Sequence, residues 1–320
     1  MLQSLFSRIS PDSRPSVIAS GFIVVILLVG TVYTLMTQGT APLLSPNYML
    51  QQLQTGAFLG IVAAGMMMVI LLGHIDLSIP WTLTAAAMMA TTVGGDLAIP
   101  TAIGVGVAVG LANGIGVAYL RIPSMIFTLG IDSVLRGLMV AHTGGFAPPD
   151  QATPLMRFLA ADKVLGIPVA IFVWALVSVV IAFILKRTSF GRSVYATGNR
   201  EAAAYLSGIN TRWVIIGAFV ISGVCAALAG VLLAGYSAKA YQGMGNAFLL
   251  PSIAAVVLGG TRILGGQGSY TGTIIGVVLI VLLNSVLSIM QMPEAGRQVI
   301  YGSVIVGMLL VYGRGQKVVS

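Results

Sequence analysis

The chain has 320 residues, 57% of them hydrophobic and only 8% charged, with a formal net charge of +8. A soluble domain carries about 25% charged residues, so this composition excludes a water-soluble fold and places the chain in a membrane. The single cysteine, Cys225, excludes a disulfide framework or a multi-cysteine metal site, and basic residues scattered between apolar runs point away from nucleic acid as a partner.

A membrane-crossing helix needs about 20 mostly apolar residues. Ten such segments follow one another, at 17–37, 49–72, 76–94, 98–120, 123–143, 166–185, 212–236, 247–262, 270–290 and 296–313. They predict an all-α integral membrane protein built as one transmembrane domain over residues 1–320. The first segment is too long for a signal-peptide core and lacks a convincing cleavage site, so no cleavable leader is expected. The third, fifth and eighth are interrupted by Pro, Gly or charge. That predicts broken or re-entrant helices, which are tolerated only where protein or a water-filled cavity surrounds them.

Charge sets the orientation. With the N-terminus inside, Arg8, Arg14, Arg121, Lys186, Arg187, Arg192, Arg200, Arg212, Arg262, Arg314 and Lys317 face the cytoplasm. Arg157, Lys163, Lys239 and Arg297 fall outside, and Arg136 lies within a span. The excess of Lys and Arg on one side supports ten spans with both termini cytoplasmic.

The longest external loop on this topology is 144–165, where Pro148, Pro149 and Pro154 break regularity and Phe158 to Leu165 suit a short surface helix. The longest internal loop is 186–212. Within it, Arg200-Glu201-Ala202-Ala203-Ala204-Tyr205-Leu206-Ser207-Gly208 reads as one short helix of good propensity ended by glycine. Gly104, Gly106, Gly110, Gly114 and Gly116 form a small-residue pattern that lets helix backbones approach closely. A faint internal echo is also present: Asn113 precedes Pro123, and Asn284 precedes Pro293, in spans of opposite direction.

No catalytic constellation appears. His74 and His142 have no metal-ligand companion at helical spacing, and there is no phosphate loop, so the chain cannot hydrolyse ATP by itself. It reads as no enzyme and as holding no metal. Polar groups inside a membrane are expensive and therefore functional candidates: His74, Asp76, Asn113, Asp132, Arg136, Asn284 and Arg262. Each has a plain structural alternative. Asp132 and Arg136, four apart, suit an internal ion pair, and Asp76 or Ser78 suits a helix cap. The sparse intramembrane charge argues against ion coupling and for passage of a neutral polar solute driven from elsewhere.

Several passages, taken in order, resemble the membrane subunit of bacterial ABC sugar importers, the ribose/xylose/galactose permease family. They are Gly73-His74-Ile75-Asp76-Leu77-Ser78, Ala112-Asn113-Gly114 with Ile122-Pro123, Phe127-Thr128-Leu129-Gly130, Arg136-Gly137 and Thr143-Gly144-Gly145. The second half adds Gly191-Arg192, Ala196-Thr197-Gly198-Asn199, Glu201-Ala202-Ala203, Ser207-Gly208-Ile209, the run Ala254 to Thr261, Gly265-Gly266-Gln267-Gly268 and Gly272-Thr273. The chain departs from the family's usual Gly-Gly-Ile-Asp-Leu-Ser at His74, and again at Ile79-Pro80-Trp81, so the resemblance implies no particular sugar.

What it implies is a two-permease pathway in the bacterial inner membrane, two cytoplasmic ATPase subunits that bind ATP and Mg, and a periplasmic binding protein that delivers solute. Asn199, Arg200, Glu201, Ala202, Ala203, Tyr205, Ser207 and Gly208 would then form the coupling helix that contacts the ATPase. The polar residues within the spans suggest a solute path past His74, Asp76, Asn113, Phe127, Asp132, Arg136 and Asn284. The alternatives are an ion-coupled secondary carrier and a membrane scaffold without a conduit.

Overall fold

A computed structural model describes residues 14–313; Arg8, Arg314 and Lys317 of the charge count lie outside them. Thirteen α-helices follow in the described residues. They are α1 (Arg14–Gln38), α2 (Pro46–Ile70), α3 (Ile79–Val93), α4 (Ala98–Ala118), α5 (Ser124–Thr143), α6 (Pro154–Ala161), α7 (Val169–Arg187), α8 (Ser189–Asn199), α9 (Glu201–Leu206), α10 (Thr211–Tyr236), α11 (Leu249–Leu258), α12 (Tyr270–Ile289) and α13 (Glu294–Gly313). A two-residue antiparallel hairpin, β1 (Lys163–Val164) with β2 (Ile167–Pro168), is the only sheet among the described residues.

Each of the ten apolar segments is a helix. Seven, namely α1, α2, α4, α5, α7, α10 and α12, are long and apolar enough to cross a membrane. The third and eighth segments are short, as their interruptions predict: α3 has 15 residues and α11 has 10. The fifth differs from expectation. Asp132 and Arg136 do not break it, and α5 runs unbroken for 20 residues, because its polar side chains find partners outside the helix.

The core is the pairing of α4 with α10. Gly106, Gly110 and Gly114, four apart, present one bare face of α4. A Cβ on Gly110 would lie 2.6 Å from Cα of Val220, and one on Gly114 would lie 2.6 Å from Cα of Ile216. The two backbones therefore touch, as small residues in membrane helices allow. Gly116 faces the ring of Phe127 instead, and Gly104 faces open space. The centre of α2 is enclosed on all sides, with Ala57 to Ile70 buried, and Cys225 of α10 packs beside its Gly65.

The order long, short, long, long occurs twice, in α2–α5 and in α10–α13. Pro80 and Pro251 lie in the first turns of the two short helices, and Asn113 and Asn284 each follow 33 residues later. Pro123 and Pro293 immediately precede the fourth helices. The asparagine–proline echo thus falls on corresponding elements.

The 144–165 loop folds inward. Its helix is α6, earlier in the chain than Phe158 to Leu165, because Thr153 caps it by accepting the Met156 N–H at 3.3 Å. Met156 and Ala160 are buried, with Met156 against Gly235 at the end of α10.

Candidate functional site

The candidate residues fall in three places: helices α8 and α9, the break between α2 and α3, and the surroundings of Asn284.

The 186–212 stretch forms two helices, α9 where one was expected and α8 before it. Thr188 caps α8 by accepting the Gly191 N–H at 3.1 Å. Asn199 ends α8, and Arg200, in extended conformation, turns the chain into α9. So Asn199 and Arg200 are the joint, and Glu201 to Leu206 are the second helix. It ends in a Schellman motif: Ile209 N–H donates to Ala204 O at 3.1 Å and Gly208 N–H to Tyr205 O at 3.0 Å. Gly208 has φ +83°, which a side chain opposes. Ala204 is buried against the body, while Ala202, Ala203, Tyr205, Leu206, Ser207 and Gly208 are exposed. Tyr205 is 68% and Leu206 86% exposed, so two bulky apolar side chains stand outward from this helix.

Glu201 pins α9 to the membrane bundle. Its Oε1 accepts from Arg121 Nη1 at 2.8 Å and from Thr211 Oγ1 at 3.2 Å. Arg212 lies over the Tyr119 ring at 4.9 Å. Between α9 and the α4–α5 corner opens a recess of about 860 Å³, lined by Tyr119, Arg121, Glu201, Tyr205, Leu206 and Arg212 among others. Behind it, Tyr195 of α8 donates to Gly268 O at 2.9 Å, and burial raises the pKa of its phenol above the ordinary value.

The break after α2 holds a buried polar cluster. Asp76 is 2% exposed and Asn113 is fully buried. Asp76 Oδ1 accepts the Ser78 N–H at 3.0 Å and the Ser78 hydroxyl at 2.6 Å, and Oδ2 accepts the Ser222 hydroxyl of α10 at 2.8 Å. Asn113 Nδ2 donates to Ser78 Oγ at 2.7 Å, while its Oδ1 has no partner. Asp76 and Asn113 therefore tie the start of α3 to α4 and α10. His74 is half-buried, its ring 6.2 Å from that of Phe219.

Asp132 and Arg136 do not pair with each other. Asp132 Oδ1 accepts the Trp81 N–H at 3.2 Å, an amide in the first turn of α3, and Arg136 lies 6.0 Å over the Trp81 ring. Two residues outside the candidate set, Ser124 and Thr128, act beside them. Ser124 Oγ accepts the Ile75 N–H at 3.3 Å, and Thr128 Oγ1 accepts the Leu77 N–H at 2.9 Å. Breaking a helix at membrane depth strands backbone donors, and this stripe of side chains on α5 receives them. The signal was present, since Ser124, Thr128 and Asp132 recur every four residues along α5. Ser222, a lone hydroxyl in a long apolar helix, gave none.

Asn284 is set apart from this cluster. It is exposed, and its Oδ1 accepts from Arg297 Nη1 at 3.1 Å. It edges a crevice of about 160 Å³ lined by Gln52, Thr55, Phe248, Glu294 and Tyr301. The site residues thus divide into an enclosed set around Asp76 and Asn113, a set on α5, and Asn284 alone. No group of three or more His, Cys, Asp or Glu that can hold a metal occurs among the described residues.

Known proteins similar to this chain are membrane components of transport systems. The family model described as branched-chain amino acid transport system / permease component matches residues 48–311. The probable ABC transporter permease protein YphD of Escherichia coli K12 is 36% identical over 295 residues, covering 91% of this chain and 88% of that one. The ribose import permease protein RbsC of Bacillus subtilis 168 is 36% identical over 84% of this chain and 85% of its own. The autoinducer 2 import system permease protein LsrC of Salmonella paratyphi B is 32% identical over 79% and 75%. No solved structure matches.

Proposed function

The chain belongs to the family of branched-chain amino acid transport system permease components, and from that membership we propose that α8 and α9 receive the work of a separate ATPase. The protein is a permease subunit of an ABC importer and a multi-pass protein of the bacterial inner membrane. It is the transport component of such a system and not its catalytic one.

The observation that carries the proposal is α9 itself, a short helix pinned by Glu201 and presenting Tyr205 and Leu206 outward from the bundle. Isolated, a six-residue helix is not stable in water. Here its fixed position makes it a mechanical handle. Asn199 to Gly208 are read as the ATPase contact, within a coupling loop over 186–212. ATP and Mg belong to the ATPase subunits, whose closure would rock the helices as rigid bodies.

Ten spans with both termini cytoplasmic complete the reading, with residues 1–320 as one permease domain and 144–165 as its external loop. A second permease chain completes the path, against the exposed side of α5. The solute is a monosaccharide or related neutral polar molecule handed over by a periplasmic binding protein. Relatives named for ribose and for autoinducer 2 support that class.

Vesicles containing the permease, its ATPase and its binding protein test this. Uptake should require ATP and survive uncouplers. Glu201→Lys and Gly208→Pro should each abolish it while the permease still inserts. Unimpaired uptake by both variants would remove the coupling assignment, and uptake without any ATPase would favour an ion-coupled carrier.

A further inference from the structure

The broken segment between α2 and α3 is gripped from two sides, and the two grips join the cytoplasmic helices to α5. On one side, Gly198 of α8 lies so close to Leu71 O that no side chain fits between them. The Gly266 N–H donates to the same Leu71 oxygen at 2.9 Å. A Cβ on Gly265 would lie 2.7 Å from Gly73 N, and one on Gly266 would lie 2.8 Å from Asn199 Cα. Three glycine-bearing passages distant in sequence thus meet backbone to backbone, with no flexible side chain between them to absorb movement.

On the other side, the segment's amides at Ile75, Leu77 and Trp81 are taken by Ser124, Thr128 and Asp132. Thr128 is the most constrained of the three. It is fully buried, and its hydroxyl donates to Ser124 O at 2.8 Å while accepting from Leu77. An amide left unpaired at that depth is costly, so the segment cannot slide along α5 without losing bonds that nothing replaces. The side of α5 turned away from α3 is not held by this chain: nothing lies within 4 Å of a Cβ on Gly130 or Gly137, and Ser133 and Arg136 are exposed, so α5 can move together with the second permease chain placed against it.

We propose that Ser124, Thr128 and Asp132 are positioning residues that make residues 71–81 a rigid link, delivering movement of α8 and α9 to α5. The inference rests on the importer reading above. Its residues touch neither nucleotide nor solute by this account; they act through the backbone they hold.

Spin-label distances in the assembled permease–ATPase complex test the link without knowledge of the solute. One label pair, Leu97→Cys with Ser193→Cys, reports α8, and another, Leu97→Cys with Ser133→Cys, reports α5; the native Cys225 is buried. Distances are compared between nucleotide-free and ATP–vanadate states. In the parent complex both pairs shift. With Thr128→Val, which keeps the shape and removes the acceptor, the α8 shift persists and the α5 shift falls at least three-fold. Thr128→Ser, which keeps the hydroxyl, restores it. An α5 shift of parental size in Thr128→Val overturns the proposal, because a merely structural residue would leave transmission intact. Should Thr128→Val fail to assemble, Ser124→Ala is read by the same two pairs with the same two outcomes. If neither pair shifts in the parent complex, the importer reading fails, and that result is distinguishable from failure of the link alone.

Discussion

Replacing Gly198 by alanine is the sharpest stability test of the junction between α8 and the 71–78 segment. The added methyl would overlap the Leu71 carbonyl oxygen and lie 2.9 Å from the Gly266 amide nitrogen. All the nearest atoms are backbone, so relief requires separating α8 from the 71–78 segment. Overpacking of this kind costs about 1–3 kcal/mol. The separation also stretches the 2.9 Å bond from Gly266 N–H to Leu71 O, worth about 1 kcal/mol net. The sum is about 2–4 kcal/mol, which at roughly 2–4 °C per kcal/mol lowers the melting temperature by about 5–15 °C. Gly104→Ala is the control, since its Cβ meets nothing within 4 Å and alanine is the better helix former by about 0.5–1 kcal/mol. Thermal unfolding in detergent, followed by intrinsic tryptophan fluorescence, reads both. A Gly198→Ala protein that melts with the parent would refute the close backbone junction and the rigidity argued from it.

Three further outcomes are expected. Asp76→Leu strands the hydrogens of Ser78 and Ser222 in a dry interior and should destabilise the chain by about 3 kcal/mol or more, whereas Asp76→Asn should cost less; equal melting of the two variants would count against the cluster. Glu201→Lys should change stability by less than about 1 kcal/mol, because the pair with Arg121 is largely exposed; a loss of transport alongside near-parental melting is the result to look for. Tyr195→Phe should cost about 1 kcal/mol through the lost bond to Gly268 O. Burial raises the folded-state pKa of Tyr195. Its stabilisation is therefore fully present below the unfolded value of about 10 and is lost as pH rises through the higher folded value, and Tyr195→Phe should flatten that alkaline decline.

The positions of the helices were legible because each apolar segment carries its own length signal, and the two short ones announce themselves at Asp76 with Pro80 and at Pro251. The joint at Asn199 and Arg200 was harder to see. Thr197, Gly198 and Asn199 are poor helix formers and hide the helix that precedes them, while the packing of Gly198 on Leu71 and of Asn199 on Gly266 fixes where it ends. The partner of Asp132 was not legible either. Spacing favours Arg136, four residues on, yet the carboxylate serves a main-chain amide 51 residues away. Backbone amides carry no residue-type signature, so a side chain that caps another segment looks like one awaiting an ion pair. The echo of Asn113 in Asn284 marked corresponding places but not corresponding surroundings: one is sealed by Ser78 and Asp76, the other stands at an open crevice beside Arg297.

The stripe on α5 also bears on how the chain enters the bilayer. Among the seven long spans α5 is the least apolar, and an aspartate at the centre of a lone helix opposes insertion by about 2.5–3.5 kcal/mol. Synthesis runs from the N-terminus, so residues 71–81 leave the ribosome before Ser124 does. The three stranded amides are thus already waiting when their acceptors arrive, and α5 can partition into the membrane against a neighbour rather than into bare lipid. The order of the chain is itself a provision for its assembly.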